Sequence, residues 1–322
     1  MHKTLKSIQA ELLQGPPVSG GHLHELAALF PECLLDLMAV ARLQTSQFSG
    51  RPFTCGIINA KSGNCTEDCS FCAQSQYHAT HTPVYRRVSM DILKKRADEL
   101  SAIGAAYMGI VISGKSPAPG DLDFFCEAVN LLSENTQIKF CASFGIIDPA
   151  QALALRQAGF SSYHHNLESA RSFFPSVCRT HNYEDRVATI KNAQSAGLRV
   201  CSGGIFGLGE TWPQRVELAL TLKELAVDSI PINFLTPVKG TPLEASPLML
   251  PQEALGVIAL MRLAHQTADI IICGGRKSVL DDWEKLIFSA GANGLMIGNY
   301  LTTTGGTMAL DREMMRTLGL VQ

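Results

Sequence analysis

Eight short apolar, β-prone runs recur along the 322 residues of this chain: 53–60, 105–113, 138–145, 161–167, 198–207, 229–235, 268–275 and 294–298. Between them lie stretches with helical periodicity, such as 90–104, 148–159, 183–197, 213–226 and 250–266. Asp148 before Pro149 is a helix-start signal, and Gly104, Gly159 and Gly197 are stop signals. Strands that alternate with helices predict a parallel sheet, and eight such units predict an α/β fold of the (β/α)8 TIM-barrel type. A doubly wound open sheet is the alternative. Residues 1–50 read as an N-terminal helical segment packed outside the first strand, 51–305 as the barrel and 306–322 as a C-terminal helical tail. In such a barrel chemistry belongs at the carboxyl ends of the strands. The longest unpatterned stretch, 61–88, follows the first strand, where a long loop is expected to be functional.

Composition narrows the function classes. Hydrophobic residues make up 46% and charged residues 17%, below the ~25% charge typical of soluble domains, so much of the chain should be buried. The net charge of −2 gives no reason to expect nucleic-acid or anionic-membrane binding. The apolar runs are too short to span a bilayer. The N-terminus shows no signal-peptide core, so a cytoplasmic protein is expected. In a reducing cytosol ten cysteines serve as core, catalyst or metal ligand rather than as disulfides. For Cys33, Cys126 and Cys178 the default expectation is core.

Cys65, Cys69 and Cys72 stand together in the 61–88 stretch. Structural zinc normally takes four protein ligands in paired spacing, and only His78 and His81 follow as weak candidates. A ferredoxin-type run has equal two-residue gaps and a fourth Cys. Here the gaps are three and two, with Phe71 before the last Cys. Three thiolates on a [4Fe–4S] cluster leave one iron open to a nitrogen- and oxygen-bearing ligand. The spacing resembles the cluster motif of radical S-adenosylmethionine (SAM) enzymes. The resemblance implies that SAM binds the open iron, with Phe71 beside it, and that one-electron cleavage releases a 5′-deoxyadenosyl radical.

The resemblance extends further. K-S-G-N-C-T-E-D-C-S-F-C-A-Q-S (61–75), Y-H-H-N-L-E (163–168), V-C-S-G-G-I-F-G-L-G-E-T (200–211), I-N-F-L-T-P-V-K-G-T-P-L (232–243) and G-G-R-K (274–277) are similar, in order, to segments of the biotin synthase family. This implies sulfur insertion into dethiobiotin, two SAM molecules, a second, sacrificial Fe–S cluster inside the barrel, a flavodoxin or ferredoxin-type reductant and a homodimer. It implies that Asn166 contacts substrate and SAM, Glu168 the SAM ribose, Arg186 the SAM carboxylate, and Asn233 the substrate. His164 faces substrate where familiar members carry Asn. His165 reads as a core histidine. Gly203, Gly204, Gly207 and Gly209 resemble a backbone wall near SAM.

One departure stands out. The familiar second cluster is [2Fe–2S], held by three Cys and an Arg. Cys141, Cys201 and Arg276 match, but the remaining Cys position falls at Gly109. Cys55 and Cys273 offer compensation. With Cys141 and Cys201 they lie on strands one, three, five and seven, and alternate strands supply the side-chain layers of a barrel interior. The expectation is a four-iron auxiliary cluster, able to carry an extra sulfide, held by three or four of these thiols with Arg276 as neighbour. The alternatives are a hydrogenase-cofactor maturase-like or methylornithine synthase-like radical enzyme, and a non-catalytic Fe–S carrier.

Overall fold

The sheet has no edge. The computed structural model describes residues 2–14, 18–30, 32–301 and 306–319. β1 (Phe53–Lys61), β2 (Tyr107–Ile112), β3 (Lys139–Ser143) and β4 (Ser162–His164) pair in sequence. β5 runs in two arms, Arg199–Cys201 and Gly204–Phe206, followed by β6 (Ser229–Phe234), β7 (Asp269–Ile272) and β8 (Gly294–Met296). All ladders are parallel. β8 closes on β1, and β5 closes on β6 through Cys201 and Ser229. Closure rules out the open doubly wound alternative.

Period-two alternation sorts the wall residues. Met108, Ile110, Phe140, Ala142, Tyr163, Val200, Ile230, Ile232, Ile270 and Ile272 are buried, and they belong to the core between strands and helices. Their neighbours Cys55, Ile57, Gly109, Cys141, His164, Cys201, Asn233, Ile271 and Cys273 line the barrel interior. That interior is a cavity of about 430 Å³ rather than stacked aliphatic layers. Small, polar and sulfur-bearing residues at the inward positions are the reason.

Each of the first seven strands is followed by a helix: α4 (Met90–Ala102), α5 (Pro119–Ser133), α6 (Pro149–Gln157), α7 (Tyr183–Ser195), α8 (Trp212–Glu224), α9 (Pro251–Ala264) and the short α10 (Arg276–Leu280). Asp148 forms the anticipated cap, in a capping box with Gln151. Gly104, Gly159 and Gly197 all have positive φ, as helix stops require.

Three N-terminal helices, α1 (Lys3–Gln14), α2 (Gly20–Leu29) and α3 (Leu34–Phe48), take the expected helical form. They pack chiefly against α8 and α9 rather than over the first strand. Buried Arg262 explains part of this. Its guanidinium donates to the carbonyls of Ala268 (2.8 Å) and Gly291 (2.8 Å) and to Asn293 Oδ1 (2.9 Å). Thr45 of α3 donates to the same Gly291 carbonyl at 3.0 Å. At the other end α11 (Met308–Thr317) is pinned by Asp311 to Arg276 at 2.6 Å. The proposed boundary at 305 and the last residues of the tail, 320–322, lie outside the described residues.

Burial also leaves a mark on acid stability. Desolvation pushes His265 down to about 3 and His165 well below its ordinary value. Both pKa values are lower in the folded chain than in the unfolded one, so the stability they contribute is present above pH ~6.5. It is lost as pH falls, because the unfolded state takes up the proton first. Each histidine contributes up to about 1.4 kcal/mol per pH unit in that window. The thermal midpoint of the unloaded chain should therefore drop between pH 7 and pH 5. A His265→Leu variant should drop less steeply, and identical slopes for the two proteins would refute the assignment.

Candidate active site

The cysteine loop leaves the carboxyl end of β1 and folds on its own backbone. Cys65 N–H donates to Gln74 O (3.0 Å), Gln76 N–H to Cys65 O (2.8 Å) and Cys72 N–H to Cys69 O (2.9 Å). Gln74 Oε1 accepts from Ser62 Oγ and Gly63 N–H, both at 3.1 Å. The loop is fastened to the segment after β4. Ser70 N–H donates to Val177 O (2.9 Å), and Asp68 Oδ1 accepts the N–H groups of Arg179 (2.8 Å) and Thr180 (3.2 Å). Partial burial alone would raise the Asp68 carboxyl, but these hydrogen bonds outweigh it and hold the group well below the usual range.

Cys65, Cys69, Phe71 and Cys72 all line the barrel cavity. Burial pushes the Cys72 thiol up to about 11 and also raises Cys65. Cys69 is raised by its hydrogen bond with Cys178 and then by burial. Metal loading must therefore displace protons from this trio. Among the described residues the one donor group gathered within 4.8 Å is Cys69, Cys178 and His181. A tetrahedral zinc brings its sulfurs to about 3.8 Å of one another, given Zn–S bonds of ~2.3 Å. The wider trio Cys65, Cys69 and Cys72 suits a polynuclear cluster, and a single zinc ion on these three is disfavoured.

Across the cavity Asn166, beyond β4, donates from Nδ2 to Glu168 Oε2 (3.2 Å) and accepts from Gly203 N–H (3.2 Å). Glu168 takes a left-handed φ of 67°, uncommon without glycine. The second arm of β5 fixes it there, since Ile205 N–H donates to Glu168 O at 2.9 Å. Burial raises its carboxyl despite Arg186 at 3.6 Å. Arg186 is 7% exposed on the inner face of α7, not a solvated helix residue. Its Nη1 donates to Asn166 O at 2.7 Å. Asn233, on β6, is held by Gly274 N–H (3.0 Å) and by Gly204 O (3.4 Å). Gly203 and Gly204 have a packing reason first: a Cβ there would meet Pro231 O at 2.1 Å and Glu168 O at 2.5 Å. The wall they form is set by strand approach.

Deeper in the barrel Cys55, Cys141, Cys201 and Cys273 all line the same cavity. Burial pushes Cys141 up to about 11, while burial and then the facing Cys141 push Cys55 up to about 12. Cys201 is raised by burial and by Cys141 and Cys55, and Cys273 by burial, Cys55 and Cys201. Ionising one of these thiols thus disfavours ionising its neighbours, although the four are not gathered as tightly as ligands of one ion. Gly109 sits beside Cys141 in register, with bare backbone facing the cavity. His164 Nδ1 lies 3.5 Å from Cys201 Sγ, and burial lowers the ring to about 4, so it is neutral. His165 is buried with Nε2 unpaired. It was expected in the core, yet it lines the barrel cavity.

Arg276 has partners that no local sequence pattern suggests. It is fully buried and ion-paired with Glu284 and Asp311. Its charge only partly offsets the burial that raises the Cys273 thiol, so it is a neighbour of the thiol cage, but its guanidinium is engaged by carboxylates. Cys178 also departs from plain core. It is buried, with Sγ 3.2 Å from Asp68 Oδ1 and 3.2 Å from His181 Nδ1. Cys33 and Cys126 do pack against the core. Cys178, His181 and Glu67 were missed as site residues; the signal lay in C-R-T-H (178–181), two donors three residues apart.

With this geometry in view, comparison with known proteins is decisive. The Radical SAM superfamily profile matches residues 60–222, and the Biotin and Thiamin Synthesis associated domain matches 231–321. A biotin synthase of Nitratidesulfovibrio vulgaris is 53% identical over 287 residues, 89% of this chain and 80% of that protein. The biotin synthase of Geotalea uraniireducens is 47% identical over 322 residues, 99% of this chain and 98% of that protein. The chain belongs to the biotin synthase family. It is accordingly a radical SAM enzyme, which implies a [4Fe–4S] cluster, SAM and an auxiliary Fe–S cluster.

Solved structures agree on the fold of this biotin synthase family member. A methylornithine synthase superposes with a TM-score of 0.78 at 22% identity, covering 95% of this chain and 90% of that one. The FeFe-hydrogenase maturase of Carboxydothermus hydrogenoformans gives 0.80 at 16% identity, covering 98% and 78%. At such identities the shared property is the barrel alone. Among the described residues no helix is long and apolar enough to cross a membrane.

Proposed function

We propose that this chain converts dethiobiotin to biotin, with the inserted sulfur drawn from a four-iron auxiliary cluster held by Cys141, Cys201 and Cys273 and flanked by Cys55. The observation that carries the reading is that one cavity holds both thiol sets, with Asn166 and Asn233 on its wall. When bound, a cluster on Cys65, Cys69 and Cys72 supplies the electron that cleaves SAM, and the deeper cluster supplies sulfur.

The chain's own residues do the rest. Arg186 offers a guanidinium for the SAM carboxylate, a charge-assisted contact with directional donors. Glu168 offers a carboxylate that accepts two ribose hydroxyl bonds. Phe71 packs beside the trio. Asn166 and Asn233, their amides oriented by backbone, present polar edges to a cyclic urea. Ile57, Val111, Ile205 and Ile271 exclude water, which protects a carbon radical. Neutral His164 beside Cys201 carries one acceptor and one donor between substrate and thiol cage. Gly109 leaves the second-strand position without a thiolate, and Cys273 with Cys55 restores the count. Arg276, with its two carboxylates, offsets charge beside Cys273. A flavodoxin or ferredoxin-type protein is the proposed reductant, and a homodimer in the cytoplasm the proposed state.

Anaerobic turnover with SAM, reductant and dethiobiotin, read as biotin by mass spectrometry, tests the substrate. Biotin should form only with all three present. Cleavage of SAM with dethiobiotin left intact would overturn the assignment and favour a maturase-like reaction.

A further inference from the structure

Cys69, Cys178 and His181 lie close enough together for a single metal ion, yet the hydrogen bonds of the ring argue otherwise. The nitrogen that faces Cys178, at 3.2 Å, is Nδ1. The other nitrogen, Nε2, lies 3.0 Å from Arg186 Nε. A guanidinium only donates, so Nε2 must be the acceptor and the ring proton sits on Nδ1. That proton is directed at Glu67 Oε2, which contacts Nδ1. The nitrogen nearest the sulfurs therefore has no lone pair to give a metal.

The same logic assigns a different role. Glu67 belongs to the cysteine loop and His181 to the segment before α7, with Arg186 in the first turns of α7. Glu67 and His181 side chains are 9% and 4% exposed, and that of Arg186 is 8% exposed. In such surroundings a buried donor or acceptor left without a partner is costly, so each link in the chain is strongly preferred. Thr180 Oγ1 adds a second donor to Glu67 Oε2 at 2.8 Å and keeps the carboxylate in place. On its far side Arg186 is fixed by Asn166 O at 2.7 Å. The guanidinium is thereby held at two of its corners, at the cavity wall.

We propose that His181, oriented by Glu67, is the positioning residue that aims Arg186 at the carboxylate of SAM, so that the cysteine loop and the SAM-binding arginine are set by one hydrogen-bonded chain. The inference rests on the reading of Arg186 as the SAM carboxylate ligand. It explains why a buried Glu stands between two cluster cysteines. The loop that would carry the iron also fixes the residue that would orient the amino acid end of the cosubstrate. Outer-sphere partners of this kind typically change ligand affinity by about 10–100-fold.

The test is equilibrium SAM binding to the cluster-loaded full chain, with iron content measured alongside. His181→Phe keeps the ring volume and removes both nitrogens; SAM should bind about 10–100-fold more weakly with iron unchanged. His181→Gln should restore most of the affinity, because its amide oxygen can accept from Arg186 while its N–H donates to Glu67. In an Arg186→Leu background the His181→Phe effect should vanish. Full affinity in His181→Phe, or a loss that persists in the Arg186→Leu background, would overturn the proposal. If Arg186→Leu alone leaves SAM binding intact, the reading of Arg186 itself fails. A normal thermal midpoint for His181→Gln, together with restored binding, separates positioning from folding.

Discussion

Replacing Cys65, Cys69 and Cys72 together with Ala abolishes 5′-deoxyadenosine formation. The expected loss is at least about 10⁶-fold, the low end of enzymatic rate enhancement, because the residues proposed to deliver the electron are gone. The chain still folds. The loop's shape comes from backbone hydrogen bonds at residues 62–76 and from Asp68 capping residues 179 and 180, none of which needs a thiol. The measurement pairs product analysis with circular dichroism under anaerobic conditions. Continued deoxyadenosine formation by a folded variant would remove these cysteines from the mechanism.

How much of this was readable beforehand depends on the kind of signal. The barrel was legible because strand and helix periods alternate cleanly, and because Asp148 and the helix-stop glycines mark the boundaries. The cysteine trio was legible because its ligands are close in sequence. Cys55, Cys141, Cys201 and Cys273 come from four different strands; they could be grouped only through the layer rule, which needs a closed barrel first. Arg276 shows where that reasoning stopped. A match in sequence placed it beside the auxiliary cluster, but its partners Glu284 and Asp311 come from a 3₁₀ turn and from the tail helix, and no local pattern announces them. Cys178 and His181 were hidden for a similar reason. Their significance arises from Glu67, more than a hundred residues away, brought close when Asp68 docks the cysteine loop on the segment after β4. Placement of the N-terminal helices on α8 and α9 likewise follows from a long-range contact, the Arg262 staple near α3.

Changing Cys273 to Ala should remove about four irons per chain, one cubane's worth, and stop biotin formation, while SAM binding and cleavage persist. The geometry that motivates this is the common cavity: Cys273 and Cys141 face the same interior rather than opposite sides of the wall. A thiolate is a far better iron ligand than the neutral side chains around it, chiefly Ile271, Met296 and Pro231. Cleavage survives because the SAM-side trio stands on a separate loop with its own hydrogen bonds. Arg276→Met makes an instructive contrast. It leaves every thiol in place but strands Asp311, a carboxylate 1% exposed, while Glu284 keeps only its pairing with Lys277. Breaking a buried pair in this way costs ~3–5 kcal/mol, so that variant should melt early while any folded fraction keeps its iron. Cys273→Ala should do the opposite, melting near the parent protein but with half the iron. Iron and sulfide analysis with Mössbauer spectra on both variants distinguishes the two effects. Full iron content in Cys273→Ala would end the case for a four-thiol cage.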